Sequence, residues 1–272
     1  MLDLTIIIPG IRTERWEKLY NESKIACKKF SHEIFYVGPK YIPASLENKD
    51  DVRYLRCLST PSVGVQQAVS ICRGKYFLWL VDDSDLRENS IDMALQAILD
   101  SDEPQKNIVY CRYTEREHGK ENELPRFWEA YFHNDLKQPL VKPDWKIAPI
   151  FLAYTKWFKE LGGLDCTNYE HINMNAIGFS FRVQELGFKV LYPPSLIMSC
   201  ELQRNRNTSN NAVISAFFDN DLPNFKKEYA SGGELETHIE YDNWLNQPIV
   251  WERKRKIEQE GKYLIGDNEG TV

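Results

Sequence analysis

The segment from Tyr76 to Val81 (YFLWLV) runs without a polar break into Asp82-Asp83-Ser84-Asp85. An unbroken apolar run of this length reads as a parallel strand buried on both faces. In open parallel sheets, ligands gather beyond the carboxyl ends of the strands. Three carboxylates within four residues at such an end repel one another, and a bound divalent cation relieves that repulsion. Hard cations take one or two carboxylates together with substrate phosphate oxygens. The expectation is a metal–diphosphate site. The competing reading is a solvated turn in which an Asp caps the next helix. The apolar strand in front of the cluster favours the site.

Around this strand, apolar runs and helical spacings alternate. Strands are expected at Leu2 to Pro9, Glu33 to Val37, Val52 to Leu58 and Asn107 to Tyr113. Helices are expected at Arg15 to Phe30, Val65 to Cys72 and Ser90 to Leu99. Such alternation implies an α/β fold, a mostly parallel sheet with helices on both faces. The stretch from Glu115 to Pro149 is polar, carries four prolines and reads as an irregular flap. A strand and a helix follow between Phe151 and Leu161, then a turn at Gly162-Gly163. A second helix spans Asn175 to Leu186, and a short strand spans Lys189 to Tyr192. Gln203 to Asn211 reads as a polar loop, and Ala212 to Tyr229 as two helices around an Asn-Asp turn. Trp251 to Gly261 reads as a charged terminal helix.

The formal net charge of −6 argues against a nucleic-acid partner, which usually meets a basic surplus. The six cysteines form no C-x-x-C pair, so reduced, mostly buried thiols are expected rather than a zinc site. No leader-like segment and no membrane-length apolar run is seen, which makes a cytoplasmic protein the simplest expectation. Peripheral contact with a membrane stays open.

The ordered motifs resemble the family-2 glycosyltransferases of the GT-A fold. The resemblance rests on Thr5-Ile-Ile-Ile-Pro9, Pro61 to Ala68, Gly74-Lys75-Tyr76 and the D-x-D of Asp83-Ser84-Asp85. It continues through Leu161-Gly-Gly-Leu-Asp165 and Phe179-Ser-Phe-Arg182 with Glu185 to Lys189, covering residues 2–200. It implies a Rossmann-type GT-A domain over 1–200, with a nucleotide-sugar-binding half (1–113) and an acceptor half (114–200). A C-terminal helical extension (201–272) would pack on it. The implied reaction is inverting transfer of a sugar from a nucleotide diphosphate sugar, a UDP-sugar by default, to an acceptor hydroxyl in glycan assembly. Asp82, Asp83, Pro9, Arg12, Glu14 and Gln67 would contact the donor, and Asp83 and Asp85 the divalent cation, Mn2+ or Mg2+.

The sequence departs from that family in three places. The acidic pair expected before the acceptor-side helix aligns with Asn175 to Gly178, and none of these residues is acidic. Asp165 and Glu170 are the nearest carboxylates and become the candidate bases, with His171 more apt for a structural role. The polar loop at 203–211 holds asparagines where relatives often carry a metal-binding histidine. The second strand ends in Val37-Gly38-Pro39 rather than in an acidic signal, so Asp50 or Asp51 becomes a candidate contact for the base. These departures keep two alternatives in view: a GT-A domain that binds nucleotide sugar or glycan without transferring it, and a nucleotidyltransferase.

Overall fold

The computed structural model describes residues 1–117, 120–123, 145–201, 215–229, 239–245 and 247. Strand β1 (Leu2–Pro9) lies at the centre of the main sheet, with Leu4, Ile6, Ile7 and Ile8 fully buried. It pairs in parallel with β2 (His32–Gly38) on one side and β4 (Gly74–Trp79) on the other. Ile6 stands opposite both Ile34 and Leu78, so β-branched and leucine side chains fill both faces across three strands. Beyond β2 lies β3 (Val52–Arg56), also parallel. On the other side β9 (Phe151–Tyr154) is the antiparallel member, between β4 and β6 (Ile108–Tyr110), and β10 (Val190–Leu191) closes the edge. The full order is β10-β6-β9-β4-β1-β2-β3.

The helices follow from their spacing and caps. In α1 (Trp16–Ala26), buried Trp16, Leu19, Ser23 and Ala26 mark one helical stripe against the sheet. Trp16 stacks on Tyr36 at 4.6 Å, and the Tyr36 hydroxyl donates to the Trp16 carbonyl at 2.7 Å. A short α2 (Ala44–Glu47) precedes β3. Helix α3 (Pro61–Ile71) starts with Pro61 in its first turn, and its N-cap Thr60 accepts from the Val63 amide. Helix α4 (Ser90–Leu99) spans the residues its sequence marks.

In the second half, α5 (Thr155–Glu160) and α6 (Ile172–Glu185) pack on β9 and β4 through an aromatic cluster. Phe151 and Phe179 stack at 5.1 Å, and Phe158 meets Phe77 edge-on at 4.8 Å. The chain between α5 and α6 turns at Gly162 and Gly163, both with positive φ (80° and 65°), where the sequence marks a turn.

A second sheet, in the order β5-β11-β7-β8, is built from β5 (Ser84–Leu86), β7 (Tyr113–Glu117), β8 (Lys120–Glu123) and β11 (Met198–Glu201). The irregular flap expected from Glu115 therefore begins instead as a hairpin, because β11 offers β7 a parallel edge to pair with. The expected Asn-Asp turn is also replaced. Phe217–Asp221 forms a π-helical turn that runs directly into α7 (Leu222–Tyr229), and buried Asp221 spends its carboxylate on backbone amides of another loop. Phe225 and Tyr229 of α7 pack on Phe181 of α6. The remainder of the flap, the loop at 203–211 and the helix expected at 251–261 lie outside the described residues. Among the described residues no helix is long and apolar enough to cross a membrane, and all six cysteines are free thiols.

The aromatic cluster gives a direct stability test. Phe179 is fully buried between Phe151, Phe158 and Trp157. Phe179→Ala should cost about 3–5 kcal/mol, seen as a lower urea midpoint at unchanged slope.

Candidate active site

Strands β1, β2 and β4 end side by side, and the chain leaving each end meets its neighbours without intervening side chains. The Gly10 amide donates to the Val37 carbonyl at 3.0 Å, and the Leu80 amide to the Ile7 carbonyl at 2.9 Å. A Cβ at Gly10 would fall 2.6 Å from Asp82 Oδ2, and one at Gly38 would overlap the Gly10 carbonyl oxygen. Glycine at both positions is what lets the Asp82 side chain reach the connection that follows β1.

Asp82, 4% exposed, ties that connection down. Its Oδ2 accepts from the Ile11 amide at 2.8 Å and the Arg12 amide at 2.7 Å, and its Oδ1 pairs with the Arg12 guanidinium. Arg12 also reaches Asp83, with Nη2 3.6 Å from Oδ2. Asp83 is the least compensated carboxylate of the cluster. Burial pushes its pKa up to about 6, Arg12 pulls against that, and Asp82 adds to it.

Asp85 has a different environment. It sits on β5, and Ser199 of β11 lies opposite it. Arg15, from the turn of 3-10 helix at Thr13–Arg15, donates to Asp85 Oδ1 at 3.0 Å. Lys18 of α1 pairs with the same oxygen, and Arg116 of β7 pairs with Oδ2. Burial pushes its carboxyl up, but hydrogen bonds from Lys18 and Arg116 and their charges together hold it below the usual carboxylate range. Arg15 further donates to the Asp82 and Ser84 carbonyls at 3.1 and 3.3 Å, bracing the strand-to-strand bend.

The expected site residues fall into three groups. Pro9, Arg12, Asp82 and Asp83 converge at the ends of β1 and β4, and Glu14 is exposed in the turn beside them. Gln67 lies farther along the same end of the sheet, lining a cavity of about 340 Å³ with Arg56, Ser59 and Trp244. Ser59 Oγ and Trp244 Nε1 are buried there without a hydrogen-bond partner among the described residues. Asp51 is elsewhere. It precedes β3, at the opposite end of the parallel strands, where it pairs with Lys24 and accepts from the Tyr20 hydroxyl at 3.3 Å. The strand direction separates Asp51 from Asp82, since a residue before a parallel strand lies across the sheet from one after its neighbour.

The two candidate bases also differ. Asp165 is buried and spent locally: Oδ1 accepts from the Thr167 and Asn168 amides at 3.0 and 3.1 Å, and Oδ2 from the Asn168 side chain at 2.8 Å. Its own amide donates to Asn175 Oδ1 at 2.7 Å, so Asn175 is a brace for the Gly162-Gly163 turn. Gln66 and Arg182 grip the same turn through Gly162, Gly163 and Leu164. Glu170, half-buried, heads the loop into α6. Its amide donates to Asp221 Oδ1 at 2.9 Å, and the His171 amide to Asp221 Oδ2 at 2.7 Å. The His171 ring is held neutral, its pKa lowered to about 4 by burial, and its Nδ1 caps α6 by accepting from Asn173. Burial raises the Asp221 carboxyl to about 7.

The sequence gives no hint of Arg116, Lys18 or Asp221 as neighbours of these groups. Arg116 reaches Asp85 only because β11 pairs with both β5 and β7. Arg15 is the exception, three residues after Arg12 in the same connection.

No protein-family model matches the chain, and no curated protein matches it in sequence. Solved structures do match in shape. The structure of GalNAc-T7 with UDP, GalNAc and Mn2+ superposes with a TM-score of 0.53 at 12% identity, covering 75% of this chain and 44% of that one. The chain has a GT-A fold. Residues 1–349 of S. aureus TarS, in complex with UDP-GlcNAc, give a TM-score of 0.49 at 12% identity, covering 75% of this chain and 59% of that one. This GT-A chain thus spans under half the length of GalNAc-T7.

The elevated pKa of Asp83 makes a signed stability prediction. The carboxyl is protonated more readily folded (about 6) than unfolded (3.8), so its contribution is most favourable below 3.8 and is lost as pH rises through 6. Asp83→Asn should therefore stabilise the fold by about 1–3 kcal/mol at pH 8 and by little at pH 4, measured by urea denaturation at both values.

Proposed function

We propose that this chain transfers a sugar from a nucleotide diphosphate sugar, a UDP-sugar by default, to an acceptor hydroxyl on a glycan or related molecule, with inversion. The observation that carries the reading is the joint of Asp82, Asp83 and Arg12 at the adjacent carboxyl ends of β1 and β4, in a GT-A fold. A guanidinium there presents a planar fork suited to diphosphate oxygens. The cavity beside Gln67 lies at the end of β3, two strand spacings from β1 and three from β4, about 10–14 Å across the sheet. An extended nucleoside diphosphate bridges that distance, with its base toward Gln67 and its phosphates toward Arg12.

In the proposed reaction the acceptor oxygen bonds to the anomeric carbon while the bond to the diphosphate breaks. The diphosphate leaves with the electron pair, and the hydroxyl proton passes to a base on the opposite face. Glu170 is assigned that role, because the Asp165 carboxylate already accepts three hydrogen bonds. Asp221 fixes the backbone on which Glu170 is carried.

A second reading, donor or glycan binding without transfer, has a specific observation in its favour. Ala176 and Ile177 are fully buried, and the space a Cβ would take at Gly178 is filled by the Tyr229 hydroxyl, 2.7 Å away. An acid at Gly178 would displace the Tyr229 hydroxyl, and one at Ala176 or Ile177 would be buried among apolar neighbours. Turnover separates the readings. With UDP-sugars and hydroxyl acceptors, the transferase should release UDP, and Glu170→Gln should slow release by at least about a hundredfold while donor affinity is kept. Wild-type turnover in that variant would move the base elsewhere. Donor binding with no UDP release by the wild-type chain would favour the second reading.

A further inference from the structure

The sequence places a divalent cation between Asp83 and Asp85, and the side chains around these residues do not fit one. A hard dication needs carboxylate oxygens open to it. Both oxygens of Asp82 are engaged, by two backbone amides and by Arg12. Both oxygens of Asp85 are engaged as well, Oδ1 by Arg15 and Lys18 and Oδ2 by Arg116. Asp83 alone has a looser partner, Arg12 at 3.6 Å, and a metal there would sit beside that guanidinium. Among the described residues no group of three His, Cys, Asp or Glu side chains is arranged to hold a metal.

The carboxylates of the site lie against cations of the protein itself. Among the described residues, Asp82, Asp83, Asp85 and Glu22 face Arg12, Arg15, Lys18 and Arg116. The cations around Asp85 come from three separate elements: the turn after β1, helix α1 and strand β7. Freeing Asp85 for a metal would mean breaking the contacts that tie the second sheet to the turn after β1 and to helix α1. Three of the four cations are arginines, whose guanidinium keeps its charge and matches phosphate geometry.

We propose that this chain binds its nucleoside diphosphate without a divalent cation, using Arg12, Arg15 and Arg116 as the counter-charge. The inference rests on the reading that the site takes a nucleotide diphosphate sugar. Arg12 lies against Asp82 and Asp83, and Arg15 and Arg116 both lie against Asp85, so a diphosphate at these carboxylates meets guanidinium groups where a metal ion would otherwise stand. The carboxylates then serve to preorganise those groups.

The test is calorimetric titration of UDP into the full chain, once in EDTA and once in Mn2+. The expected result is binding in both, with dissociation constants agreeing within about threefold. Binding only in Mn2+, or tighter by about tenfold or more in Mn2+, would overturn the metal-free inference and leave the proposed function standing. No binding in either buffer would overturn both. As a second arm, Arg116→Ala, shown folded by its urea transition, should weaken UDP binding in EDTA by about tenfold or more. Unchanged affinity in that variant would remove Arg116 from the counter-charge.

Discussion

The grip of Asp82 on the chain leaving β1 is the contact on which the rest of the site depends. Two backbone amides and one guanidinium converge on a single buried carboxylate. Removing one member of such a buried set leaves the others desolvated and unpaired, which is why sets of this kind hold their geometry. Gly10 and Gly38 make the approach sterically feasible, and the parallel pairing of β1 with β2 and β4 brings the three ends together. From that joint follow the direction of Arg12 toward Asp83, the start of α1 and the placing of Arg15 and Lys18 near Asp85.

The electrostatics divide the acidic cluster into three environments. Asp82 is structural and fully hydrogen-bonded. Asp85 ties the second sheet to the turn after β1 and to α1 through Arg15 and Lys18, and pairs with Arg116 of β7. Asp83 is left with its pKa raised by burial and by its neighbour Asp82. A buried carboxyl whose ionisation costs free energy, beside a guanidinium and at the mouth of a sheet, is a common mark of functional sites. The same contrast recurs between α5 and α6 and in the turn before α7. Asp165 is absorbed by local amides, and Asp221 is buried with a raised pKa while holding the loop that presents Glu170.

The apolar runs and helix spacings of the first half are legible because each strand is buried on both faces and each helix shows one stripe. Ser90–Leu99 and Leu2–Pro9 fall where the sequence marks them. The acidic cluster at the end of β4 is legible for the same reason. Its chemistry is less so, because the partners of Asp85 arrive through strand pairing between residues far apart in sequence. No local pattern encodes the step from Asp85 across β11 to Arg116. Asp51 was legible as a carboxylate near β3 but not as one at the wrong end, since strand direction becomes visible only once the sheet is assembled. The Asn-Asp pair at 220–221 carries a strong turn signal. The helix keeps running there because Asp221 finds better partners in the Glu170 and His171 amides than in its own backbone.

The proposal that the Asp82–Arg12 joint receives the diphosphate of a nucleotide sugar is open to test by a crystal structure of the chain soaked with UDP. Phosphate density is expected within hydrogen-bond reach of the Arg12 guanidinium, with the uracil toward Gln67 and Trp244. Well-ordered UDP bound away from the ends of β1 and β4, with the Asp82–Arg12 pair untouched, would contradict it.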